Sequence, residues 1–84
     1  MKYYLENVEC GRVGNCLLWW RKGAAGYTGN LDEAEVFDGE DSYFRSLLRT
    51  DGKFRAWEQD YIDSVARRHV DHQVLNEGMA IYHG

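Results

Sequence analysis

Cys10, Cys16, His69 and His72 are the side chains of this sequence best suited to hold a metal, because two thiolates and two imidazoles make a tetrahedral zinc set. Their spacing argues against it. Five residues lie between the cysteines and two between the histidines, whereas zinc motifs usually place about two to four and about three to five there. The simpler expectation is two unrelated free thiols and a solvent-facing histidine pair, with no metal and no cofactor. Nucleophilic catalysis would need a Cys or Ser beside a histidine oriented by a third group. His69, Asp71 and His72 supply the types, but sequence neighbours do not generally face one another, and no nucleophile-bearing turn accompanies them. No catalytic residue is assigned, and an enzyme is not expected.

Two further patterns imitate chemistry. The carboxylates Asp32, Glu33 and Glu35, or Glu40 and Asp41, are numerous enough to suggest an acid and base pair, yet a solvated acidic surface is the commoner meaning of such a run. The glycine-rich "GAAGYTG" would let backbone amides approach a phosphate, but it lacks the Gly-Lys-Ser/Thr ending and the helix directly after it. A turn is expected there instead.

Trp19, Trp20, Tyr27 and Trp57, with Arg12, Arg21 and Lys22, are the types that stack on a base and neutralise a phosphate. About half of these aromatics are needed for the core of so small a chain. In "CLLWWRK", strand alternation sends Trp19 and Trp20 to opposite faces, one to anchor the core and the other to meet a helix, a subunit or a target. Trp, Tyr and Arg dominate binding hot spots, and an acidic run steers towards a basic partner. The expected partner-binding residues are therefore Asp32, Glu33, Glu35, Glu40, Asp41, Trp20, Arg21 and Tyr27.

The elements that would position them follow from pattern. "KYYLENVE" has the composition of a half-buried strand, "CGRVGN" that of a turn, and "CLLWWRK" that of a strand covered on both faces, so the two strands form an antiparallel hairpin. A short extended piece around Tyr27 and Thr28 lengthens the sheet. Leu31, Ala34 and Phe37 recur every third residue, which suits one helical turn capped by Asn30 or a strand. From Asp41, the positions Phe44, Leu47 and Leu48 mark a helix ended by "TDGK". "FRAW" is a brief strand. Tyr61, Ile62, Val65 and Ala66 mark a second helix that starts near Trp57 or Glu58 and carries Arg67 and Arg68 in its last turn. Val70, Val74 and Leu75 either continue that helix or pack as an extended segment, and "MAIYH" suits a final edge strand. The expected architecture is α+β: a small antiparallel sheet, the N-terminal hairpin plus one or two short strands, with two helices packed on one face.

Residues 1–84 are expected to form a single domain, since 84 residues cannot supply two cores. Fourteen acidic against ten basic residues give a net charge of −4, which opposes direct nucleic-acid binding through phosphate neutralisation. The opening "MKYYLENVEC" holds no apolar run of signal-peptide length, and no stretch approaches a membrane span, so a cytoplasmic location is expected. The high aromatic share on a small chain favours a homodimer.

With the order of elements in view, "LLWWRKGAAGYTGNLDEAEVF" followed by "YIDSVARRHVDHQVL" resembles a group of small phage and prophage accessory proteins, over about residues 15–75. The shared pattern is an aromatic-Arg strand, a Gly-Tyr-Thr turn, an "LDEA" segment and a closing "VD" with a downstream leucine. The resemblance implies a non-enzymatic inhibitor that binds a host protein in the host cytoplasm. Its target on this reading is a nucleic-acid-guided defence (CRISPR-Cas) complex, whose basic surface the carboxylates would mimic. Two other readings are a protein that sequesters a signalling nucleotide and a zinc-stabilised interaction module.

Overall fold

In the computed structural model, which describes residues 1–81, seven short strands and two helices of seven residues follow one another along the chain. The strands are β1 (Lys2–Asn7), β2 (Arg12–Val13), β3 (Cys16–Leu17), β4 (Trp19–Trp20), β5 (Tyr27–Thr28), β6 (Phe37–Asp38) and β7 (Phe54–Glu58). The helices are α1 (Ser42–Leu48) and α2 (Gln59–Val65). All strand pairs are antiparallel, so the α+β expectation and its antiparallel sheet hold.

β1 is the hub of the sheet. β7 runs along one edge of it, from Tyr3 opposite Glu58 to Asn7 opposite Phe54. The other edge is shared: β6 pairs with Lys2 and Tyr3, and β4 with Glu6. β5 then lies outside β4, while β2 and β3 make a separate small hairpin. The brief "FRAW" strand is thus the longest partner of β1.

Tyr4, Leu5, Glu6 and Asn7 are all buried, so β1 is covered on both faces where the sequence suggested one. Its odd and even residues feed two apolar clusters, one on each face of the same sheet. Tyr4 joins Trp19, Ala34 and Ile62 of α2, whereas Leu5 joins Phe37 and Phe44 of α1. The helices therefore lie on opposite faces of the sheet rather than together on one. The reason is the pleat: each face of β1 carries large apolar side chains, and each needs its own cover.

Local chemistry sets the element ends. Asp41 caps α1, its side chain accepting from the amides of Tyr43 and Phe44 at 2.8 and 3.4 Å. Asn30 caps the 3₁₀ turn Leu31–Glu33 in the same way, so the turn expected there is present. Gly23 and Gly26 have φ of 70° and 94°, the left-handed region that favours glycine, which makes "GAAGYTG" a turn.

The C-terminal part differs from expectation. α2 ends at Val65, with Ala66 extended, so Arg67 and Arg68 lie beyond the helix rather than in its last turn. Ile62 is its one buried residue, and the turns after it have no sheet left to cover. Val70, Val74 and Leu75 are exposed, neither continuing the helix nor packing. Met79 closes a 3₁₀ turn, Ala80 and Ile81 are not strand, and the rest of "MAIYH" lies outside the described residues. Among the described residues no helix is long and apolar enough to cross a membrane.

Tyr4 links the α2 face to solvent. Its hydroxyl donates to the Asp63 carboxylate at 2.6 Å, and burial first, then that bond, holds the phenol above its ordinary value of 10.0. A raised folded value means this stabilisation is complete below about pH 10 and is lost as pH rises through the folded value. Tyr4→Phe should cost about 1 kcal/mol at neutral pH and flatten the alkaline limb of stability against pH. An unchanged alkaline limb in denaturant titrations would assign it to other groups.

Candidate functional site

Trp20 stands at the centre of an aromatic cluster on the α1 side of the sheet. Its ring meets Tyr27 at 5.8 Å, Phe54 at 5.7 Å, Tyr43 at 6.1 Å and Phe37 at 6.4 Å, each edge to face. These spacings lie within the range in which aromatic pairs attract. Phe37 is buried, but Tyr27 is 40% and Tyr43 54% exposed, so the cluster runs from the core to solvent. Trp19, pointing the other way, is buried beside Tyr4 at 5.6 Å. The opposite-face expectation for the two tryptophans is met.

The acidic run borders this cluster, because it folds back along β4. Arg21 bridges to Ala34, and the Glu35 amide donates to the Trp20 carbonyl at 2.9 Å. Its members divide by what their carboxylates do. Glu33 accepts from Arg21 at 2.8 Å and from the Thr28 hydroxyl at 3.2 Å, and Asp41 is committed to the helix cap. Asp32, Glu35 and Glu40 have no side-chain partner among the described residues; Asp32 and Glu40 are exposed and Glu35 is half-buried. Asp38, between them, is held below the usual carboxylate range by the Glu40 amide first and by Lys2 second.

Trp20 and Tyr27 are thus brought together, with the Glu35 amide bonded to the Trp20 carbonyl and Asp41 capping the helix that carries Tyr43. Arg21 and Glu33 instead pair with each other, and Glu33 with Thr28, on the Trp19 side of the sheet. Tyr43 and Phe54 were missed. Tyr43 sits just after a helix cap, one residue before the buried Phe44, where nothing local marks it as part of a site, and Phe54 reads as ordinary core. Only the pairing of β7 with β1 carries Phe54 to Trp20.

Of the four candidate metal ligands, the side chains of Cys10, Cys16 and His69 are described. Cys16 Sγ lies 3.7 Å from His69 Nδ1, but Cys10 faces Asn7, whose side-chain amide donates to its sulfur at 3.1 Å. Both cysteines are free, and no group of three or more His, Cys, Asp or Glu that could hold a metal occurs among the described residues.

On the other face, Glu6 is 2% exposed. One of its oxygens accepts from Arg55 Nε at 3.1 Å and from Trp57 Nε1 at 2.9 Å, and the Arg55 guanidinium lies 5.0 Å from the Trp57 ring centre. This network positions β7, which carries Phe54. Comparison with protein-family models, curated proteins and solved structures returned no match.

Proposed function

We propose that this chain is a non-enzymatic accessory protein that binds and inhibits a host protein through the Trp20-centred surface. The observation that carries the reading is the aromatic cluster itself, fixed from within by Phe37 and Phe54 and offering Tyr27 and Tyr43 to solvent. Pre-positioned aromatic rings lose little conformational freedom on binding, which is why they anchor interfaces. The acidic run, with Asp32 and Glu40 exposed and Glu35 bonded through its amide to the Trp20 carbonyl, suits a basic partner. The resemblance to phage accessory proteins makes the nucleic-acid-binding surface of a guided defence complex the target class.

The test is a pull-down from host lysate, repeated with the recovered partner purified. Replacing Tyr27 and Tyr43 together by Ala should weaken binding about 10- to 100-fold while leaving the protein folded. Replacing Asp32, Glu33 and Glu35 by Ala should mainly slow association and flatten its salt dependence, with stability changed by about 0.5 kcal/mol or less per site. Full inhibition by both folded variants would rule the surface out.

A further inference from the structure

A concave site lies on the α1 side of the sheet. It is an open cleft of about 390 Å³, lined by Tyr3, Gly39 and Ala56 on one side and by Phe44, Arg45, Leu48 and Arg49 of α1 and its cap on the other. Its floor is the half-buried Tyr3 ring, backed by the buried Phe44 ring stacked on it at 5.6 Å. Its rim is basic in a chain of net charge −4. Arg45 spends Nε on the Gly39 carbonyl at 2.9 Å, which fixes the side chain and leaves its terminal nitrogens to donate elsewhere. Arg49, four residues on and on the same side of the helix, has no carboxylate partner among the described residues. Of the acids in the adjacent turn, Asp38 pairs with Lys2 and Asp41 caps α1, leaving Glu40.

Gly39 keeps the cleft open. A Cβ there would lie 2.8 Å from Tyr3 Cε2, closer than such atoms approach, so any side chain would drive the Tyr3 ring out of place.

We propose that this cleft binds a nucleoside monophosphate, its base against the half-buried Tyr3 ring and its phosphate held by Arg45 and Arg49. Guanidinium groups donate paired hydrogen bonds to phosphate oxygens, and flat rings gain from an aromatic floor. The volume lies near the lower end of small-ligand sites, about 300 to 1,000 Å³, which suits one nucleotide rather than a dinucleotide. The site is separate from the Trp20 surface and does not depend on protein binding.

Titration calorimetry on the full chain tests it with adenosine monophosphate, adenosine and inorganic phosphate as separate ligands. The monophosphate should saturate, with adenosine and phosphate each at least about tenfold weaker, since each makes half of the contacts. Arg45→Gln with Arg49→Gln, both at exposed positions and so expected to stay folded, should reduce monophosphate affinity at least about tenfold and leave adenosine unchanged. Gly39→Ala should weaken both monophosphate and adenosine, because it disturbs the floor. If monophosphate shows no saturation by about 10 mM, or binds the folded double-arginine variant as well as the wild type, the proposal is overturned.

Discussion

Phe44→Ala is expected to cost about 3 to 5 kcal/mol, the largest loss of any single aromatic truncation on the α1 side. Phe44 is 2% exposed and stacks on Tyr3 at 5.6 Å and on Phe37 at 5.2 Å. It is also the contact by which α1 covers Leu5. A seven-residue helix is not stable alone, so losing that anchor releases the helix as well as leaving a cavity. A domain of this length holds roughly 0.05 to 0.15 kcal/mol per residue, and much of the molecule would unfold at ordinary temperature. Denaturant midpoints measure the effect. Tyr43→Ala, one residue earlier but 54% exposed, should cost about 1 kcal/mol or less. Equal losses for the two would mean that α1 does not face the sheet through Phe44.

The second large effect lies in the Glu6 network. Arg55→Met should destabilise by about 3 kcal/mol, because it leaves a buried carboxylate without its cation. The loss falls at the low end of such cases, since the Arg55 side chain is 48% exposed and half solvated already. Combining it with Glu6→Gln should restore most of the stability, as the amide oxygen still accepts from Trp57 and no charge remains buried. Thermal unfolding of the two single variants and the double variant closes the cycle. Losses that simply add would show that the two side chains act independently and that the pair does not hold β7 against β1.

Much of this architecture is legible in the sequence because its causes are local. Asp41 before an apolar helical pattern marks the start of α1 through its own side chain, and Asn30 does the same for the turn at Leu31. The glycines of "GAAGYTG" mark a turn because their backbone angles suit few other residues. Alternation places Trp19 and Trp20 on opposite faces whatever the sheet pairs with. Net charge and the clustering of Trp, Tyr and Arg raise the expectation of a binding surface on the same local grounds.

Tertiary structure decided the rest, because pairing over long separations has no local signature. A five-residue strand at Phe54 brings Arg55 and Trp57 to Glu6 and Phe54 to Trp20, and only that register makes the lone glutamate of "KYYLEN" a buried hub. Helix packing likewise follows from the tertiary fold: α2 covers the Tyr4 face of β1 and α1 the Leu5 face, so the helices stand on opposite sides. The acidic run looks uniform in sequence, yet its carboxylates divide between a helix cap, an ion pair and open solvent according to what the fold sets beside each one.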